Sequence, residues 1–171
     1  MDAYRTIVAL GSNLGNREQT IFAALNSIKK LMGEVLRVSN FYMTHPVGNN
    51  ADKNFINGAA LIESFFEPHD QLDILLAIEK NLGRQRHVHW GNRTIDLDII
   101  GIEQSGKSIK INTQSLVCPH PRAESRDFVL VPAAEVAPNH IHPDFNTTLS
   151  NLVKTKNFHL NRAIDFTYKV K

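Results

Sequence analysis

The chain has 171 residues, of which 42% are hydrophobic and 21% charged, and its formal net charge is +2. These values fit one domain with a packed core. They exclude wholesale disorder and capture of nucleic acid or an anionic membrane by bulk charge. The single cysteine, Cys118, excludes a disulfide scaffold, and no apolar run approaches a membrane helix. Met1-Asp2-Ala3-Tyr4-Arg5 is not a secretory signal. The expectation is one cytoplasmic domain over residues 1–171.

Thr6 to Leu10 reads as a buried strand stopped by Gly11-Ser12-Asn13. Asn16 is placed to cap a helix, with Gln19 as its partner. Ile21, Ala24, Leu25, Ile28 and Leu31 give that helix one apolar face, and Gly33 ends it. Glu34 to Tyr42 reads as one strand. Thr44 to Asp52 has turn chemistry throughout and is long for a connector. Asn54 to Ile62 resumes strand character. Pro68 opens a second helix marked by Leu72, Leu75, Leu76 and Leu82 and closed by Gly83. A basic loop runs from Arg84 to Asn92. Thr94 to Ile100 alternates as a strand, and Gly101 to Ile111 reads as a hairpin around Ser105-Gly106-Lys107. Phe128 to Val136 suits a short helix or turn. The last thirty residues carry scattered apolar positions and no legible chemistry. The order βαββαβ predicts a ferredoxin-like α+β sandwich with additional C-terminal elements.

The alternating strand Ile95-Asp96-Leu97-Asp98-Ile99 puts both aspartates on one face, roughly 6.6 Å apart at the backbone. Two carboxylates on one face need solvent, arginine partners or divalent cations. All-oxygen ligation favours Mg²⁺ over Zn²⁺. Upstream, residues 84–93 hold three arginines (Arg84, Arg86, Arg93) and two histidines (His87, His89) around Trp90. Guanidinium forks suit phosphate oxygens. The residues alone leave two readings open: a site for a metal-complexed polyphosphate, or a salt-bridge network at a sheet edge. An RNA-binding surface is disfavoured, because Asp96 and Asp98 repel a phosphate backbone and no extended basic surface exists.

Gly101-Ile102-Glu103-Gln104-Ser105-Gly106-Lys107-Ser108 satisfies the phosphate-loop pattern GxxxxGK[ST]. That motif needs a helix after it, and Ile109-Lys110-Ile111 alternates instead, so a hairpin tip is expected. The pairs His87/His89 and His140/His142 sit at strand spacing without a further zinc ligand, and a surface or loop-packing role is expected. Pro119-His120-Pro121 presents an imidazole rigidly beside Arg122 and Arg126. Phe55, Asn57 and Phe128 are candidates to sandwich and read a planar heterocycle, although an aromatic in a strand is more often core. Cys118 is expected to be a small buried hydrophobe.

In order along the chain stand Ala9-Leu10-Gly11-Ser12-Asn13-Leu14-Gly15, Thr44-x-Pro46-Val47-Gly48 and Asn54-Phe55-Ile56-Asn57. They are followed by Leu82-Gly83-Arg84-x-Arg86-x-x-x-Trp90-Gly91-x-Arg93-Thr94-Ile95-Asp96-Leu97-Asp98-Ile99, Pro119-His120-Pro121-Arg122 and Arg126-x-Phe128-Val129-Leu130. Together they resemble the 6-hydroxymethyl-7,8-dihydropterin pyrophosphokinases of folate biosynthesis, across about residues 4–140. The resemblance implies a ferredoxin-like fold and attack of the pterin hydroxymethyl oxygen on the β-phosphorus of ATP, with AMP leaving. It implies two Mg²⁺ ions at Asp96 and Asp98, with Arg84 and Arg93 clamping the transferring phosphates. Trp90 falls in the loop over ATP, His120 and Arg126 at the triphosphate, and Glu79 and Ile99 on the adenosine side. Phe55 and Phe128 would sandwich the pterin, Asn57 would read its edge, and Thr44 and Val47 would offer backbone groups. Loops 13–16, 44–53 and 84–92 correspond to the family's mobile lids. His89, Asn92, Ser115, Val117 and Glu124-Ser125 depart from residues common in the family. The partners implied are ATP and the dihydropterin, with no nucleic acid, no membrane and a monomeric enzyme. The other classes weighed are a non-catalytic nucleotide- or RNA-binding module on the same fold, and a Mg²⁺-dependent nucleotide hydrolase.

Overall fold

The computed structural model describes residues 2–45, 53–83, 93–161 and 163–170. Strand β1 (Tyr4–Ser12) leads into helix α1 (Arg17–Leu31), which is capped by Asn16, whose side chain accepts from the Gln19 N–H at 3.1 Å. Ile21, Ala24, Leu25 and Ile28 are buried as the periodicity predicts. Leu31, expected on that face, is exposed, and Met32 takes the buried place one residue on. The chain then passes Gly33, where a Cβ would stand 2.1 Å from the Glu63 carbonyl oxygen, so only glycine lets these backbones approach.

The strand expected over Glu34–Tyr42 is two, β2 (Glu34–Val38) and β3 (Tyr42–Thr44). Ser39 causes the break. Its N–H donates to the Ala59 carbonyl, but its hydroxyl oxygen, not its carbonyl, accepts from the Ala59 N–H at 2.8 Å. The ladder is satisfied while the backbone turns and Phe41 enters the core. β4 (Phe55–Ser64) and α2 (Pro68–Asn81) follow as predicted, with Gly83 at φ +84 closing the helix. Leu76, counted on the apolar face, is more than one-third exposed.

Strand β5 (Asp96–Gln104) starts two residues later than expected and runs straight through Gly101. Ser105 and Gly106, both at positive φ, turn it into β6 (Lys107–Ser108), so the phosphate-loop match is a hairpin. β7 (Ile111–Asn112) pairs β8 (Val117–Cys118). A 3₁₀ turn at Ala123–Ser125 precedes α3 (Asp127–Val136), a helix where the sequence allows either helix or turn. β9 (Ile141–His142), β10 (Thr147–Thr148) and α4 (Leu149–Thr155) complete the elements.

The main sheet runs β2-β4-β1-β5-β6, with β3 beside β4, and all these pairings are antiparallel. One face packs on α1 and α2 through Val8, Leu10, Ile62, Leu75, Ile78, Leu97 and Ile99. The other face packs on α3 and α4 through Ile7, Ala59, Leu61, Ile100, Leu130 and Ala133. A register shift in β5 opposite Ile7/Val8 changes the alternation. Ile102, three residues past Ile99, therefore returns to the α1/α2 core, while Gly101 lies against the His140 ring.

Candidate active site

Strand register sets the site. Gly11 on β1 pairs with Asp96 on β5 and with Asn57 on β4, and Asn57 pairs with Tyr42 on β3. Paired residues share a face. Asp96, Gly11, Asn57 and Tyr42 thus form one row across four strands, on the face that carries α3. Asp98 lies two residues along on the same face, opposite Ala9. Gly11 makes the floor of the row. A Cβ there would meet the Asn57 Oδ1 at 2.8 Å and the Phe55 ring at 3.8 Å.

Helix α3 bounds the row. Its N-terminal side holds Arg126, which feels the charges of Asp98 and Asp96, and near its other end Glu135 receives the Tyr42 hydroxyl. Ten residues of helix rise about 15 Å, close to the roughly 14 Å of three strand spacings from β5 to β3. The helix therefore spans the sheet along the row, where Asp96 and Asn57 stay partly exposed while Gly11 and Tyr42 are buried.

Asp96 is paired with Arg93, Nη1 to Oδ2, at 2.6 Å, and both side chains are partly buried. Asn13, 1% exposed, fixes the backbone of Arg93. The Asn13 Oδ1 accepts from the Arg93 N–H at 2.6 Å, and the Asn13 N–H donates to the Arg93 carbonyl at 3.1 Å. The same side chain donates from Nδ2 to the Lys53 carbonyl at 3.2 Å. Lys53 and Arg93 directly follow the stretches 46–52 and 84–92 in sequence, so one buried amide joins the residues that follow both. Sequence reasoning missed this role of Asn13, which read as turn chemistry after a strand and, by resemblance, as part of loop 13–16. His45 and Asn54, whose side chains meet at 3.0 Å, bracket stretch 46–52.

His120 and Arg126 stand on the cationic side. Burial, then the positive charges of Arg126 and Arg122, push the His120 imidazole below its usual range, against the pull of Asp96. Its Nδ1 accepts from the Arg122 N–H at 3.3 Å, so a neutral ring keeps its proton on Nε2. Arg126 is likewise held down, by burial first and then by Arg122, while Asp98 and Asp96 oppose. Its guanidinium lies 5.8 Å from the centroid of the Phe128 ring. Arg122 joins this cluster although it was not among the predicted site residues. The rigid Pro119-His120-Pro121-Arg122 turn was the available signal.

Glu79 and Ile99 sit differently from the open face. Glu79 on α2 is 2% exposed and accepts the Leu97 N–H at 2.7 Å, between the two aspartates in sequence and from the opposite face. The Ile99 side chain is 3% exposed within the α1/α2 core. On the far side of the row, Asn57 donates from Nδ2 to the Thr44 hydroxyl at 2.7 Å. Phe55 pairs with Thr44, and Phe128 opens α3, partly buried. Structure thus brings together Arg93, Asp96, Asp98, His120 and Arg126 at one end, and Thr44, Phe55 and Asn57 at the other. Arg84, Trp90 and Val47, and the pair His87/His89, lie outside the described residues. His140 and His142 are buried in packing roles, and among the described residues no group of three or more His, Cys, Asp or Glu gathers as a metal site. Cys118 is buried, and desolvation pushes its thiol up to about 12.

Residues 7–138 match the family described as 7,8-dihydro-6-hydroxymethylpterin-pyrophosphokinase. The chain belongs to this family. It is 40% identical over 130 residues to the 2-amino-4-hydroxy-6-hydroxymethyldihydropteridine pyrophosphokinase of Bacillus subtilis, covering 75% of each chain. It is 39% identical over 141 residues to the Pseudomonas aeruginosa protein of the same name, covering 82% of this chain and 85% of that one. In three dimensions it resembles the Plasmodium falciparum HPPK-DHPS crystal structure with a TM-score of 0.69 at 15% identity, over 91% of this chain. It spans 45% of that longer protein, and the likeness concerns the fold. As a member of the family the chain is a pyrophosphokinase, moving the pyrophosphoryl group of ATP to the hydroxymethyl group of 6-hydroxymethyl-7,8-dihydropterin in folate synthesis.

Proposed function

We propose that the row Asp96–Gly11–Asn57, walled by Arg93, Arg122, Arg126 and His120, is where this transfer takes place. The carrying observation is the register that sets the Asp96/Asp98 pair and the Asn57–Thr44 pair on one face. Two strand spacings, about 10 Å, separate Asp96 from Asn57, a span suited to a bicyclic heterocycle and its exocyclic hydroxymethyl group. Phe55 and Phe128 hold the faces of the pterin, Asn57 its edge, and Thr44 and Val47 offer backbone groups. The strand order β2-β4-β1-β5 supports a ferredoxin-like assignment for one domain over residues 1–171. A cytoplasmic monomer is the proposed state.

Asp96 and Asp98 fit magnesium. Two carboxylates on one strand face leave further positions for phosphate and water, which is how this ion is commonly held. Two ions are proposed there, and they supply charge neutralisation of the triphosphate. The protein's own groups do the rest. Arg93 and Arg84 clamp the transferring phosphates, and Trp90 closes the nucleotide side. Arg126 adds fixed charge, and His120 donates from Nε2 to a phosphate oxygen. Glu79 anchors the Leu97 N–H and so stiffens the strand between the aspartates. Ile99, with its side chain in the core, serves the adenosine through its backbone. The hydroxymethyl oxygen bonds the β-phosphorus as the bond from that phosphorus to the AMP oxygen breaks, and its proton passes to solvent. Fixing two substrates in line contributes on the order of 7–11 kcal/mol.

The test is Asp96→Ala, incubated with ATP, Mg²⁺ and the dihydropterin while AMP is followed. Turnover should fall by a factor on the order of 10²–10³ in a folded protein. Near-normal, pterin-dependent AMP formation by that variant would sink the assignment. ADP formation, or AMP without pterin, by the unaltered chain would favour nucleotide hydrolysis.

A further inference from the structure

The stretch 163–168 lies beyond residues 7–138 shared with the family. It alternates: Ile164, Phe166 and Tyr168 pack on the main core, while Ala163, Asp165 and Thr167 face out. Ala163 bridges Tyr42 in antiparallel fashion, and the Ile164 N–H donates to the Phe41 carbonyl at 2.9 Å. The Phe166 ring meets Phe41 edge-on at 5.0 Å between centroids. Tyr168 ties the other end to α1, its ring 5.3 Å from Phe22 and its hydroxyl donating to the Asn26 Oδ1 at 3.0 Å.

What this stretch holds is the weakest strand bearing on the site. β3 is three residues long and pairs with β4 at Tyr42↔Asn57, Met43↔Ile56 and Thr44↔Phe55. So short a strand sets its register poorly by itself, and a slip of one residue would turn Thr44 away from Asn57. β3 is gripped from both faces instead. On the α3 face, Glu135 accepts from the Tyr42 hydroxyl and from the Asn40 N–H at 2.8 Å. On the α1 face, Phe41 is pressed between Phe166 and the backbone of Gly58, where a Cβ would stand 2.5 Å from its ring. Gly58 adjoins Asn57.

We propose that residues 163–168 act as a positioning strap for the pterin end of the site, holding Phe41 and Tyr42 so that Thr44 and Asn57 stay paired. This rests on the placement of the pterin at Thr44 and Asn57. The strap touches no substrate. It acts through β3, so its loss weakens pterin binding and leaves the triphosphate end, built on β5 and the Pro119–Arg126 turn, unaffected.

The experiment compares the full chain with a chain ending at Asn161 and with Phe166→Ala and Phe166→Leu in the full chain. KM for the dihydropterin, KM for ATP, kcat and amide hydrogen exchange are measured well below each unfolding midpoint. Phe166→Ala should raise the pterin KM about fivefold, speed exchange at Tyr42, Met43 and Thr44, and leave the ATP KM unchanged. Phe166→Leu should restore most of the loss. Lower stability with an unchanged pterin KM, or equal rises in both KM values, overturns the strap. If the shortened chain does not fold, Phe166→Ala carries the test. Thr44→Val and Asn57→Ala separate the two failures. If they leave the pterin KM unchanged, the pterin placement falls and the strap with it. If they raise it while the strap variants do not, the strap alone falls.

Discussion

Gly11→Ala probes the centre of the site without touching a charge. The new methyl carbon would lie 2.8 Å from the Asn57 Oδ1, against 3.4 Å for ordinary contact. Asn57 must retreat by about 0.6 Å to restore that contact. It has little freedom, since its Nδ2 donates to the Thr44 hydroxyl at 2.7 Å. Because β4 lies between β1 and β3, a retreat of that size drives the amide towards Thr44 and forces this already short bond out of good geometry. A weakened hydrogen bond of this type costs about 1 kcal/mol, close to fivefold in affinity. The dihydropterin KM should rise three- to tenfold, with the ATP KM unchanged and stability within about 1 kcal/mol of the parent. Gly58→Ala, by contrast, acts on packing first. One residue past Asn57 but on the other face, its Cβ would collide with the buried Phe41 ring at 2.5 Å. It should lower stability by about 1–3 kcal/mol through overpacking. Steady-state kinetics in both substrates and urea unfolding separate the two effects. An unchanged pterin KM in a folded Gly11→Ala protein would refute the claim that Asn57 borders the substrate.

Asn13→Ala removes the acceptor of the Arg93 N–H and the donor to the Lys53 carbonyl; stability should drop by about 1–3 kcal/mol with kcat reduced, and wild-type kcat in that variant would show that Arg93 needs no such anchor. Glu79→Gln keeps an acceptor for the Leu97 N–H and should retain most activity, whereas Glu79→Ala should lose about 1–3 kcal/mol of stability; equal unfolding midpoints for the two variants would count against the role. The imidazoles of His120, His140 and His142 are all held below their usual range, chiefly by burial. The unfolded chain then binds protons that the folded one refuses, so stability should fall as pH drops below about 6.5 towards the lowered folded values. A urea midpoint that does not decline between pH 7.5 and 5.5 would contradict this.

Local chemistry made much of this molecule readable. The Asn16 cap, the Gly83 stop and the Ser105-Gly106 turn each act within a few residues, and each forms as expected. The twin aspartates were readable too, because strand alternation alone puts Asp96 and Asp98 on one side. Ser39 was not: its hydroxyl replaces a ladder carbonyl for a partner twenty residues away, splitting a predicted strand. Leu31 and Met32 exchanged places at the helix end, where the apolar stripe no longer dictates burial. Asn13 bonds a residue 80 positions away, and Glu135 meets Tyr42 across 93. No local pattern encodes such meetings. Glu79 is another case, since its carboxylate serves a backbone N–H beneath the strand.

Residue order by itself determined which groups carry charge, where strands alternate and where helices start and stop, because those properties depend on near neighbours and backbone sterics. Only the tertiary structure decided which of those groups meet. Strand register put Gly11 between Asp96 and Asn57, and packing of distant segments fixed β3, Arg93 and Phe41 in place. The physical reason is that contacts between remote residues are selected by the whole core at once, through close packing and the need to pair every buried polar group.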